Sequence, residues 1–259
     1  MNFNICSINR VAFYIFGEPI YWYGLIIASA IGLAFGLSFL LVKRKGLPKD
    51  LPIDIFLAII PLGILSARLF SVLFDSSTTI MDYFAFRRGG MSIIGAVIGG
   101  IIGLAILCAI KKINFLKVAD VIVPVLIMAQ AIGRWGNFIN QEVYGLAVTN
   151  PALQFFPFAV SINGTWHLAL FFYEFVLNGI GAVMLWLLYY KTKKTGVATG
   201  AYLVYYGGIR LILEGLRDSE YVLTFIGLPI SQIISGIFLV AGIIVLIMIN
   251  VRGKKYEKQ

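Results

Sequence analysis

Arg210, Glu214 and Arg217 stand at i, i+4 and i+7 of one apolar stretch, a spacing that puts all three on a single helical face. Arg134 lies near the end of a second apolar run, Glu142 follows that run, and Glu174 lies early in a third. Arg68 lies near the end of a fourth. A guanidinium is flat, permanently charged and able to donate two parallel hydrogen bonds, so arginines that can converge suit a phosphate. Carboxylates beside them can aim the cations or take up a proton. A plainer reading fits the same residues, with Arg210–Glu214 and Arg134–Glu142 as internal ion pairs that hold helices together. Arg68 taken alone fits a snorkelling or bundle-locking cation. Charge and spacing leave both readings open.

The elements that must position these residues follow from composition. The chain has 259 residues, of which 60% are hydrophobic and 13% charged, and its mean hydropathy is +0.92. Soluble domains carry about 25% charged residues, so a soluble globular enzyme and a disordered chain are both excluded. A helix that crosses a bilayer needs about 20 mostly apolar residues. Seven such runs are present, at 22–42, 53–74, 91–110, 118–139, 168–190, 200–216 and 229–251. The fourth and sixth are the weakest by hydropathy because each contains charge. The expected fold is all-α: one polytopic membrane bundle of seven helices over 1–259, without a soluble domain.

Lysines then orient the bundle. Lys43, Arg44, Lys45 and Lys49 follow the first run, Lys111, Lys112 and Lys117 the third, and Lys191, Lys193 and Lys194 the fifth. Arg252, Lys254, Lys255 and Lys258 follow the seventh, so 14 of the 21 basic residues lie after odd-numbered runs. By the positive-inside rule the amino terminus is outside and the carboxy terminus cytoplasmic. Most of the net charge of +9 is therefore topology, and a nucleic-acid partner is not expected. The seven remaining cations are arginines: Arg10, Arg68, Arg87, Arg88, Arg134, Arg210 and Arg217. All fall toward the outer face, where a cluster of them fits a phospholipid headgroup.

Smaller features fill in the picture. Gly32/Gly36 and Gly95/Gly99/Gly103 have the small-xxx-small spacing that lets membrane helices approach closely. Cys6 and Cys108 make no framework, and with His167 as the single histidine neither a metal nor a cofactor is expected. The first 17 residues, with Asn2, Asn4, Asn9 and Arg10, do not read as a signal peptide.

The string Gly133-Arg-Trp-Gly-Asn-Phe-Ile-Asn-Gln-Glu-Val-Tyr-Gly145 resembles the signature of the prolipoprotein diacylglyceryl transferases. Other matches keep the family's order: Trp22-Tyr-Gly-Leu25, Ala67-Arg-Leu69, Gly89-Gly-Met-Ser92, Asp120 and Tyr206-Gly-Gly-Ile-Arg-Leu-Ile-Leu-Glu-Gly-Leu-Arg-Asp218. The resemblance covers essentially the whole chain. It implies a bacterial cytoplasmic-membrane enzyme that moves the diacylglyceryl group of phosphatidylglycerol onto the lipobox cysteine of a prolipoprotein, releasing glycerol phosphate. It also implies roles. Arg134 would bind the lipid phosphate, with Asn137 and Asn140 as polar contacts. Arg210 would be the second essential cation, oriented by Glu214. Glu142 would position the site or move a proton, Gly145 would allow a tight turn, and Tyr23 would help hold the headgroup. Arg68 and Arg217 are secondary substrate-side candidates.

The chain departs from the family in one place that touches the chemistry. In Gly89-Gly-Met-Ser-Ile-Ile-Gly-Ala96, Ile94 occupies the position where the family usually has a histidine proposed as the base. His167, just before Tyr173-Glu174, corresponds to a second family motif and does not replace it. Glu142, Glu214 or Tyr23 would then move the proton, or His167 would serve. Two other classes compete. One is a diverged, non-catalytic phospholipid-binding relative. The other is an anionic-lipid transporter, against which stands the lack of any repeat relating the two halves.

Overall fold

Long apolar runs become helices because, without water, every backbone N–H and C=O must be paired within its own segment. The computed structural model describes residues 8–74, 83–84, 90–218, 224–225 and 228–256, with no description of the side chains of 224–225, 228 and those after Val251. Cys6, Arg87, Arg88, Gly89 and Lys258 lie outside the described residues. The described part contains seven α-helices: α1 (Trp22–Arg44), α2 (Leu51–Phe74), α3 (Ile93–Lys111), α4 (Phe115–Asn140), α5 (Leu170–Lys191), α6 (Val197–Glu214) and α7 (Ile230–Tyr256). Each coincides with one of the expected runs. Three short antiparallel hairpins punctuate them: β1 (Val11–Ile15) with β2 (Glu18–Tyr21), β3 (Ala159–Ile162) with β4 (Thr165–Leu168), and β5 (Thr224–Phe225) with β6 (Leu228–Pro229).

Six of these helices are long and apolar enough to cross a membrane, and α6 is the exception. Arg210 and Glu214 lower its hydropathy, as expected for the sixth run. The fourth run is more apolar than expected: α4 reaches a mean hydropathy of 2.0 against 1.7 for α5. The 13 residues between Asp120 and Arg134 are free of charge, which leaves the polar groups of α4 toward its two ends.

The chain divides into two compact units, Ser38–Ala119 and Met1–Leu37 with Asp120–Gln259. In the first, α2 and α3 pack together across glycines. A Cβ on Gly99 would stand 2.6 Å from the Ser66 Cβ, and one on Gly103 2.7 Å from the Ala58 carbonyl oxygen. Ser92 caps α3 with its hydroxyl accepting from the Gly95 amide. The segment just before it is tied to α2 by two bonds: the Ser92 amide donates to the Ala67 carbonyl at 3.0 Å, and Arg68 Nη1 donates to the Gly90 carbonyl at 2.8 Å. Lys111 and Asp54 form an ion pair at 2.8 Å in the same unit.

In the second unit α6 lies between α5 and α7. Gly207 lets the backbones of α6 and α7 approach, since a Cβ there would stand 2.8 Å from the Ser235 carbonyl oxygen. Asp120, fully buried in α4, accepts from the Gly196 amide at 2.7 Å and from the amide and hydroxyl of Thr199 at 2.9 and 2.8 Å. A carboxylate at the positive end of a helix satisfies amides that have no intrahelical partner. It thereby fixes the start of α6 on α4. Gly32 and Gly36 correct the glycine expectation: nothing among the described residues lies within 4 Å of a Cβ at either, so this GxxxG seats no helix here.

Candidate active site

The signature string spans the end of α4 and an abrupt reversal after it. Gln141 and Val143 both take left-handed backbone conformations, with φ of 53° and 60°. For Gln141 this is an ordinary helix stop: its amide donates to the Phe138 carbonyl and the Glu142 amide to that of Asn137, both at 3.1 Å. For the β-branched Val143 it is strained, at a cost of about 1–3 kcal/mol. The left-handed Gln141 turns the chain so that Glu142 comes back over the last turn of its own helix. There Asn137 Nδ2 and Asn140 Nδ2 both donate to its Oε1, at 3.1 and 3.3 Å. Glu142 is therefore held by amides, and the Arg134–Glu142 ion pair considered from sequence is not the contact that forms.

Arg134 pairs with Glu174 instead, its Nη2 lying 2.6 Å from Oε2. The contact is close but not aligned as a hydrogen bond, and a long bond of 3.4 Å from Nη1 to Asn137 Oδ1 adds little. Arg210 is held more firmly. It donates to Glu174 Oε1 at 2.9 Å and to Glu214 Oε2 at 2.7 Å. Arg217 Nη1 in turn reaches Glu214 Oε1 at 3.1 Å. The result is one alternating chain, Arg134–Glu174–Arg210–Glu214–Arg217, drawn from α4, α5 and the end of α6. Both carboxylates are almost fully buried, while the three arginine side chains remain 12–16% exposed. Buried cations in a membrane bundle are expected to be paired or functional.

Tyr23, at the start of α1, packs its ring on Gly136, where a Cβ would stand 2.7 Å from the ring. The charges of both Glu142 and Arg134 act on it. Gly145 is needed for a reason other than a turn, because its φ is not in the left-handed region. A Cβ there would stand 2.7 Å from Leu168 Cβ and 2.9 Å from the Leu216 carbonyl oxygen. Gly145 is the crossing point of three segments: its amide donates to the Leu168 carbonyl at 3.0 Å, the Leu146 amide to that of Leu216 at 2.9 Å, and Gly145 bridges to Arg217. His167 on β4 places Nδ1 3.0 Å from the Gly145 carbonyl oxygen, the contact of a structural hydrogen-bonder. Arg68 belongs to the other unit, where it is 1% exposed and bonded to Gly90.

Sequence reading placed Glu174 early in a span and gave it no role. It turns out to link the two principal cations. A carboxylate inside an apolar helix, four residues after its first residue Leu170, was the available signal. What it pairs with depends on how α4, α5 and α6 are rotated, and hydropathy does not record that.

Helices of this length and apolarity, joined at the end of α4, the start of α5 and the end of α6 by a buried arginine–glutamate chain, define a polytopic membrane protein with a buried charged cluster. Residues 10–248 match the family described as prolipoprotein diacylglyceryl transferase, and the chain belongs to that family. Among similar proteins, phosphatidylglycerol–prolipoprotein diacylglyceryl transferase 1 of Clostridium perfringens is 38% identical, covering 96% of this chain and 98% of the relative. The corresponding transferases of Clostridium novyi and Enterococcus faecalis are 36% and 38% identical, covering 97% and 94% of this chain and 100% and 91% of their own.

Proposed function

We propose that this protein transfers the diacylglyceryl group of phosphatidylglycerol to the lipobox cysteine of a prolipoprotein, at the outer face of a bacterial cytoplasmic membrane. α6 completes seven spans, with the amino terminus outside and the carboxy terminus cytoplasmic. The observation that carries the reading is the alternating chain from Arg134 to Arg217, set beside the Asn137–Glu142–Asn140 cradle.

In the reaction the cysteine sulfur forms a bond to the glycerol carbon that bears the phosphate. The carbon–oxygen bond there breaks, and glycerol phosphate leaves with the bonding pair. Charge grows on a phosphate that already carries one negative charge, so preorganised cations at its oxygens lower the barrier. Arg134, the less firmly held cation, takes the phosphate, and Arg210 supports it with Glu214 fixing its direction. Tyr23, Asn137 and Asn140 border the headgroup. Arg217 extends the positive edge, and Arg68 shapes the segment before α3. A thiol with a free pKa of about 8.5 must also lose its proton. Ile94 cannot accept it. Glu142 can, because only its Oε1 is taken up by Asn137 and Asn140 and because the positive field beside it favours the thiolate.

A second reading, a phospholipid-binding relative without transfer, is favoured only by Ile94. Purified protein in detergent, given phosphatidylglycerol and a one-cysteine lipobox peptide, separates the two. Peptide that gains the mass of a diacylglyceryl group with wild-type protein, and not with Arg134→Ala, supports the transferase. Transfer by Ile94→His alone points to a decayed enzyme, and silence from both to lipid binding or transport.

A further inference from the structure

The proposed reaction makes no direct use of Glu174, which is among the most deeply buried charged residues described, at 2% exposed. Each of its oxygens serves a different arginine: Oε1 holds Arg210 at 2.9 Å and Oε2 holds Arg134 at 2.6 Å. Arg134 has no other carboxylate partner among the contacts described, and Arg210 has only Glu214 besides. A single carboxylate therefore anchors two cations from different helices, α4 and α6, and partly neutralises both.

We propose that Glu174 is a positioning and specificity residue, which makes the two arginines respond to the charge that develops during transfer rather than to charge already on the lipid. The inference rests on the transferase reading above. Unmasked arginines would bind any phosphate strongly, and binding the starting lipid more tightly does not accelerate the chemical step. With Glu174 as shared counter-ion, the resting field is weak and the geometry is fixed. The growing second charge on the leaving phosphate then competes with Glu174 for Arg134, whose contact is close but unaligned. Arg210, aligned on two carboxylates, stays in place. The site thus accepts a phosphodiester headgroup with one negative charge, and a phosphomonoester lipid, which carries about 1.5–2 negative charges at pH 7, gains less from it than from unmasked arginines.

The test compares wild type, Glu174→Gln and Glu174→Asp for lipobox-peptide transfer, with phosphatidic acid as competing lipid. For Glu174→Gln, kcat falls by about 100-fold while KM for phosphatidylglycerol stays level or drops, the pattern of an interaction made in the transition state. Inhibition by phosphatidic acid tightens by about tenfold, because each unmasked cation favours the dianion. Glu174→Asp keeps the charge but is one methylene short of spanning both arginines. It therefore keeps wild-type discrimination and loses kcat by about tenfold. Should Glu174→Gln not fold, that result from Glu174→Asp decides in favour, and a wild-type kcat decides against. Unchanged discrimination in folded Glu174→Gln, or kcat and affinity lost in step, overturns the proposal and leaves Glu174 a packing residue. Where wild type transfers nothing, the transferase reading itself falls. Flotation with phosphatidic acid and phosphatidylglycerol vesicles then still reads the charge argument, since Glu174→Gln must favour the phosphatidic acid vesicles over wild type or the proposal is wrong.

Discussion

Asn137 Nδ2 donates to Glu142 Oε1 at 3.1 Å, across a turn of the chain at the left-handed Gln141. The amide does two things at once. It fixes a carboxylate whose own backbone lies beyond the helix, and its Oδ1 faces Arg134 at 3.4 Å. Asn137→Asp replaces the donor by a second carboxylate against Glu142. Transfer should fall by about 100- to 1,000-fold, the usual loss when a preorganised polar group is removed from an active site. Asn140→Ala should cost only about tenfold, because its bond to Glu142 is longer and Asn137 remains. Initial rates of peptide lipidation check both, and equal effects would mean that Asn137 has no special part.

Gly145 gives a prediction of a different kind, since it is required by space. An added methyl group would press on Leu168 and the Leu216 carbonyl, and these are the segments that carry His167 on one side and Arg217 on the other. Gly145→Ala should insert normally but move Arg217 and lose at least tenfold in rate, since a displacement of about 1 Å can cost 100-fold. His167→Gln, which retains a hydrogen-bond donor for the Gly145 carbonyl, should keep most activity. Full loss in His167→Gln would make His167 a chemical participant instead.

Much of the architecture was legible because a membrane imposes it. All seven runs reappear as helices, and six of them, all but α6, have the length and apolarity that a bilayer-spanning segment must have. The polar string from Gly133 to Gly145 also announced itself, being costly at that depth without a purpose. Pairing was not legible. Arg134 could meet Glu142 or Glu174, and only the rotation of α4 against α5 selects Glu174. The hairpin Ala159–Leu168 was likewise hidden between the fourth and fifth runs, because two four-residue strands leave little periodicity. Glycine spacing misled at Gly32 and Gly36 for a related reason: a motif states that a helix can be approached, and tertiary packing decides whether it is.

The two glycine motifs therefore separate experimentally. Gly99→Ala would force α2 and α3 apart, with Ser66 2.6 Å from the new Cβ and the Leu62 carbonyl also in the way. Overpacking of this kind costs about 1–3 kcal/mol, and a lower unfolding temperature in detergent should report it. Gly32→Ala meets open space and gains helix propensity of about 0.8–1.0 kcal/mol. It should be neutral or stabilising. Equal destabilisation by the two would show that Gly32 is covered by a partner in the membrane.

Asp120 is the remaining handle on the site, at the opposite end of α6 from Arg210. Its carboxylate accepts three hydrogen bonds from the first turn of that helix, and it is 0% exposed. Asp120→Ala leaves the amides of Gly196 and Thr199 without a partner in a dry interior. A hydrogen bond to a charged group is worth about 1.5–3 kcal/mol, so the loss of stability should be at least of that order. Asp120→Asn keeps the shape and one acceptor oxygen, and should fall between the two. Because α6 carries Arg210 and Glu214 as well, the folded fraction of Asp120→Ala should also transfer more slowly, with KM for phosphatidylglycerol little changed. Thermal unfolding in detergent, with rates normalised to folded protein, separates the two effects. A wild-type rate per folded molecule would show that the start of α6 is anchored independently of the arginines at its end.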